Sequence, residues 1–164
     1  MTEENGEPLS EQPAERVRAL LERILNGLGL EGATIEIEEG EGEITAVVEG
    51  DDDELGLLIG KRGQTIDAVQ FICYQAAFRG IRERKRVTVD AAGYRERRRE
   101  VLERRADRAA ERALQTGRAA ELEEMSPQER RVVHEHLKER AEVETYSEGE
   151  EPHRFVVVAP LVGD

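Results

Sequence analysis

The chain has 164 residues and carries 24 Lys and Arg against 37 Asp and Glu, a formal net charge of -13. That length allows one domain or two small ones and excludes a large catalytic barrel, and the net charge taken alone argues against a nucleic-acid partner. With no Trp, three Phe, three Tyr and one Cys, an aromatic ligand cage has little to draw on and an internal disulfide framework is excluded.

The first residues, MTEENGEPL, are acidic and have nothing to bury, so a disordered tail is expected over 1–12. With no hydrophobic N-terminal stretch and only short apolar runs, neither a signal peptide nor a membrane span is expected, and the lone Cys73 fits a cytoplasmic protein. Between Ser10 and Leu28, the residues Val17, Leu20, Leu21, Ile24, Leu25 and Leu28 recur at three and four, which predicts one apolar helical face. The period then changes to two: Ile35 and Ile37 alternate with Glu36 and Glu38, and EITAVVE follows Gly40-Glu41-Gly42, which predicts a β-hairpin. A short apolar turn over Glu54 to Ile59 leads to Gly60-Lys61-Arg62-Gly63 and to a helix from about Gln64 to Arg79. Its wide apolar surface, Phe71, Ile72, Tyr74 and Phe78 included, marks a core helix whose rings pack rather than stack on bases. A strand from Lys85 to Asp90 completes the order α-β-β-α-α-β.

From Tyr94 to Gln115 the pattern predicts a helix roughly 33 Å long, with a thin stripe of Leu102, Ala106, Ala109 and Ala113. Arg98, Arg105 and Arg112 fall on one face beside Arg97, Arg104 and Arg108, while Glu100 and Arg104 form a supporting pair four apart. After a weakly signalled strand near Arg118 to Leu122, Ser126-Pro127-Gln128-Glu129 is a capping box that opens a helix to about Arg140. Strands are expected over Glu142 to Tyr146 and Arg154 to Ala159, joined by an acidic turn.

Charge is segregated along these elements: residues 1–57 carry -14, residues 58–118 carry +8 and residues 119–164 carry -7. A basic middle can offer a positive stripe to phosphates while the acidic ends keep the chain soluble; the plainer alternative is a solvated helix surface rich in ion pairs. Gly60-Lys61-Arg62-Gly63 favours the first reading. Its glycines let the backbone turn tightly and approach a ligand, the following helix start attracts anions, and two full charges are added. A nucleotide P-loop is excluded, because Gly56-x-x-x-Gly60-Lys61 is one residue short and Arg62 stands where a hydroxyl should hold magnesium.

In the second half, Arg130 and His134 are four apart and share a helix face, with Arg131 and Arg154 as further candidates. On spacing alone, His134 is an edge residue of an amphipathic helix and Arg130 the partner of a carboxylate. His134-Glu135-His136 lacks metal-ligand spacing, and the serines fit caps and turns rather than a triad. No metal, cofactor or catalytic residue is expected, so the chain is not read as an enzyme.

LLIGKRGQTIDAVQFICYQAAFR resembles the GxxG core of a type II KH domain, and especially that of the bacterial Jag family, also called KhpB. The Arg-rich helix, TGRAAELEEMSPQERRVVHEHL and VETYSEGEEPHRFVVVAP are similar to that family's second domain, named for an Arg and a His separated by three residues and written R-3-H below. Two motifs in the right order are more specific than either alone. The resemblance covers roughly residues 13 to 161 and implies an α+β chain of two small domains: a KH domain over 13–91, a connecting helix over 92–116 and an R-3-H domain over 117–164. It implies an RNA-binding set of Ile59, Gly60, Lys61, Arg62, Gly63, Gln64, Arg130, Arg131, His134 and Arg154. The KH groove should hold about four unpaired nucleotides without needing aromatics. The ligand implied is single-stranded RNA, with single-stranded DNA as the other candidate, in a post-transcriptional regulator linked to cell-envelope growth and division. A separate KH-only protein is the implied partner. Many members carry a further domain ahead of the KH, where this chain has a short acidic tail, so that domain's functions are not expected. The competing reading is a helical scaffold or dimerisation protein whose Arg stripe serves ion pairs.

Overall fold

A computed structural model describes residue 10 and residues 12–161; the expected acidic tail over 1–12 lies largely outside the described residues. The architecture is α+β, and the chain divides into two compact units at Tyr94 and Arg95.

In the first unit, α1 (Pro13–Gly27) begins with proline at its first position, where the missing N–H costs nothing. It buries Val17, Leu21 and Leu25. Strands β1 (Thr34–Glu39) and β2 (Glu43–Glu49) form the expected antiparallel hairpin, with Ile35 opposite Val48 and Glu39 opposite Ile44. The short apolar segment before the glycine loop is the fourth element of the expected order, a helix, α2 (Asp52–Ile59). Its cause is local: the Asp51 carboxylate accepts from the amides of Asp53 and Glu54, and acidic residues fill the first turn against the positive end of the dipole. A single turn of 3-10 helix, Lys61–Gly63, leads into α3 (Gln64–Ala77). Strand β3 (Arg86–Ala91) then lies parallel to β2, giving the order β1-β2-β3. A parallel pair needs a crossover of a dozen or more residues, and α2 and α3 supply it.

Leu21, Ile44, Val48, Leu55, Leu58, Ile66 and Val89 are almost wholly removed from solvent, so helices and sheet share one core. Cys73 sits in it, and burial pushes its thiol up to about 12, which leaves it unreactive at neutral pH. The rings of α3 divide. Phe78 is buried and Tyr74 packs against it, whereas Phe71 is 62% and Ile72 49% exposed, contrary to the expectation that all the apolar residues of this helix pack inward. Two helical side chains also reach the sheet's edges. Gln70 of α3 accepts from the Val89 amide at 2.9 Å, and Arg18 of α1 donates to the Ile35 carbonyl at 2.9 Å.

The second unit takes most of α4 (Tyr94–Thr116), followed by β4 (Ala120–Glu121), α5 (Pro127–Leu137), β5 (Val143–Glu148) and β6 (Phe155–Pro160). All strand pairs are antiparallel in the order β4-β6-β5, with Ala120 and Thr145 both opposite Val158 on its two sides. The stripe of α4 is built of Leu102, Ala106, Ala109, Ala110 and Ala113, and these small side chains join Val133, Leu137, Val143, Val156 and Val158 in the second core. Helix α5 starts at the expected capping box, with Ser126 Oγ accepting from the Glu129 amide and Glu129 Oε2 accepting from the Ser126 amide. Among the described residues no helix is long and apolar enough to cross a membrane.

Ile66 lies at the first turn of α3 and is fully buried. Ile66→Ala is expected to lower the unfolding free energy by about 2–5 kcal/mol, from lost burial plus the cavity left behind, measured by urea denaturation.

Candidate nucleic-acid interface

The first candidate lies where α2 meets α3. Gly60 has φ 71 and ψ -179, a region open essentially to glycine alone. A Cβ there would come within 2.7 Å of the Thr65 Cβ. Gly63 is left-handed at φ 76, ψ 10, and a Cβ there would lie 2.8 Å from Cε1 of the Tyr94 ring. Between them Arg62 is also left-handed, at φ 54, a conformation that costs a non-glycine residue about 1 kcal/mol.

The backbone thus folds back on itself, with the Gly63 amide donating to the Gly60 carbonyl at 3.3 Å and the Gly60 amide to the Gly56 carbonyl at 2.9 Å. Lys61 and Arg62 project from this turn and are exposed. No side chain caps the N-terminus of α3, and Gln64, its first residue, is exposed. Ile59 is half-buried against the core and anchors the loop from behind. The six residues 59–64 therefore form one convex, positively charged feature over a helix start, an arrangement suited to a phosphodiester.

The second candidate lies where α5 faces β5. Arg130 is 7% exposed. Its Nη1 donates to the Met125 carbonyl at 2.9 Å and its Nη2 pairs with Glu151. Arg131, the next residue, is exposed and bonds Glu135 one turn on at 2.8 Å. His134 is half-buried, with Nδ1 2.7 Å from Thr145 Oγ1 and Nε2 2.9 Å from Ser147 Oγ. Burial first, and the Arg130 charge second, hold its pKa below the ordinary value, so the ring is neutral at pH 7. In a neutral ring one nitrogen donates and the other accepts, and the two hydroxyls adapt to either. Arg154 completes the group: Nη2 lies 3.5 Å from the Ser147 carbonyl, and its buried Nε has no hydrogen-bond partner among the described residues.

The structure brings Arg130, His134 and Arg154 together around Ser147 and Glu151, and turns Arg131 toward solvent. Thr145, Ser147 and Glu151 were missed in the sequence. Residues 145 and 147 share one face of a strand by the two-residue period, a signal that identifies them only once the strand is known to face His134. Three guanidinium groups of the expected stripe on α4 are tied to carboxylates: Arg98 to Glu129, Arg104 to Glu100 and Arg105 to Glu123, and Arg99 beside them pairs with Glu103.

Residues 18–90 match the family model described as the KH domain of KhpA/KhpB, and residues 100–160 match that of the R-3-H domain. Over 140 residues the chain is 38% identical to the RNA-binding protein KhpB of Clostridium symbiosum, an alignment covering 85% of this chain and 62% of the relative. It is 36% identical over 143 residues to the protein of that name from Lactiplantibacillus plantarum, covering 87% and 44%. For the Bacillus subtilis protein the figures are 38% over 109 residues, covering 65% and 52%. The chain therefore spans about half the length of these relatives.

Because the folded state holds His134 neutral, its contribution to stability is fully present above the ordinary pKa of about 6.5 and is lost as pH falls from there through the lowered folded value. Thermal melts of the wild type and His134→Gln between pH 7.5 and 5 are the check. The wild type is expected to lose more stability on acidification, since the amide keeps hydrogen-bonding capacity but takes up no proton.

Proposed function

Since this chain belongs to the KhpB family through its KH and R-3-H domains, we propose that it is a single-stranded RNA-binding protein with one contact in each unit. The observation that carries the reading is the Gly60–Gly63 turn, whose glycine-only backbone puts Lys61 and Arg62 over the uncapped start of α3. Ile59 to Gln64 would take the phosphodiester of about four unpaired nucleotides. The name that the relatives bear, RNA-binding protein, favours RNA over single-stranded DNA.

In the R-3-H unit, Arg131 and Arg154 supply charge to the RNA, Arg130 is the buried strut that holds α5 to Glu151, and neutral His134 positions the hydroxyls of Thr145 and Ser147. The partnerless Nε of Arg154 supports this assignment. A buried donor without an acceptor costs about 1–3 kcal/mol, and a rotamer change that turns it to a phosphate recovers that cost. As working bounds we take 13–91 for the KH domain, 92–116 for the connecting helix and 117–164 for the R-3-H domain. The roles in cell-envelope growth and division and the KH-only partner rest on the family resemblance alone, and the cytoplasmic location on the lone Cys73 and the short apolar runs of the sequence. The reading gives the chain no chemistry of its own.

Lys61→Asp combined with Arg62→Asp is expected to weaken single-stranded RNA binding at least about tenfold, the equivalent of 1.4 kcal/mol, with the fold retained by circular dichroism. Fluorescence anisotropy at one fixed salt concentration measures it, and wild-type affinity in this variant would refute the KH assignment.

Duplex RNA of matched sequence is expected to compete poorly, because a four-nucleotide groove must splay its bases and cannot admit a stacked A-form helix. Equal competition by duplex and single strand would move binding to a sequence-blind basic surface.

A further inference from the structure

At the other edge of the R-3-H sheet lies a cleft of about 410 Å³ between α4 and β4. Strands β4 and β5 flank β6 on opposite sides, so this cleft shares no residue with the His134 and Ser147 group. Its floor is apolar: Ala109 and Ala120 are buried and Leu122 is half-buried. Its walls carry Arg105, Arg108 and Arg112. Steps of three and four place these on one helix face over about 10 Å of axis.

The guanidinium groups differ in a telling way. Arg105 is tied to Glu123 at 2.7 Å and closes one end as a neutral pair. The Arg108 and Arg112 residues are exposed and, among the described residues, their guanidinium groups make no hydrogen bond or ion pair, although four other arginines of the same helix are matched to carboxylates. Two unpaired planar forks beside a small apolar floor suit a phosphodiester with its base laid on that floor. The Glu121 carboxylate in the same cleft disfavours a bare anion and offers an acceptor to a ribose hydroxyl or an exocyclic amine.

We propose that the α4–β4 cleft is a second polynucleotide site of the R-3-H unit, taking one nucleotide of single-stranded RNA with its phosphate on Arg108 and Arg112 and its base over Ala109, Ala120 and Leu122. The inference rests on the reading of the chain as an RNA-binding protein. It adds a site on the sheet edge away from His134, so an RNA strand engages both edges of one small domain.

The test uses the full chain and an unstructured single-stranded RNA, with binding measured over a range of salt concentrations. Each phosphate contact to a single strand contributes about 0.7 to the slope of log affinity against log salt. Arg108→Gln combined with Arg112→Gln, which removes the seat of one phosphate, is therefore expected to flatten the slope by about 0.7 and to weaken binding severalfold at low salt. Its melting temperature should stay unchanged, because neither group has a partner to lose. If the wild type binds RNA and the variant keeps both affinity and slope, this inference is overturned while the RNA-binding reading stands. If the wild type fails to bind RNA at all, the RNA-binding reading falls and takes the inference with it. Amide NMR supplies the second arm: adenosine monophosphate is expected to shift Ala109, Ala120 and Leu122, and inorganic phosphate is not. Equal shifts from phosphate would overturn the base seat, and equal displacement of RNA by poly-glutamate would overturn the choice of a nucleotide over an acidic peptide.

Discussion

Thr65 and the Tyr94 ring stand where a Cβ on Gly60 and on Gly63 would have to be, and the first unit is organised around that exclusion. Because no side chain can occupy either position, α2 can end and α3 can begin across only the four residues 60–63, in a backbone course that only glycine follows at Gly60. The tight passage keeps Leu58 and Ile66 in the same core although they lie on different helices. It also leaves Lys61 and Arg62 with nowhere to go but outward. Tyr94 ties the turn to the residues that follow β3, so the loop is braced from the far end of the unit as well as by its own hydrogen bonds.

The second unit handles charge differently. Adjacent residues Arg130 and Arg131 have opposite fates, because the helix turns one toward Met125 and Glu151 and the other toward water. A buried guanidinium that lost Glu151 would be strongly destabilising, whereas the exposed Arg131 and Glu135 pair is worth little. His134 is half-buried among hydroxyls, and its burial first and the Arg130 cation second suppress its own charge. The net -13 of the chain says nothing about any of this; what matters is which groups remain unmatched after the carboxylates of α4, Glu123 and Glu129 have taken their partners.

Much of the fold was legible because its signals are local. The switch from a three-and-four spacing to alternation located α1 and the hairpin, and the Ser126 to Glu129 capping box located α5. The GxxG loop was legible as chemistry for the same reason, since its glycines and charges are contiguous. What was misjudged depends on distant chain. The short segment ending at Ile59 was placed from Glu54 although the helix starts at Asp52, because two turns of helix give too few repeats to show a period. Phe71 and Ile72 read as core because hydrophobicity does not reveal that the sheet covers only one side of α3. Arg130's partner lies 21 residues away across a strand and a turn, and Ser147 acquires its part only where β5 meets α5.

The bonds from Gln70 to the Val89 amide and from Arg18 to the Ile35 carbonyl bear on how this protein behaves when crowded. A three-stranded sheet has two open margins, and an unguarded margin is a template onto which another chain can add a strand. Here one helix on each side spends a polar side chain on the margin nearest it, so an incoming strand meets a backbone group that is already engaged. Helices α1 and α3 thereby guard the margins of their own sheet, each leaving one fewer backbone group free for the strand of another copy.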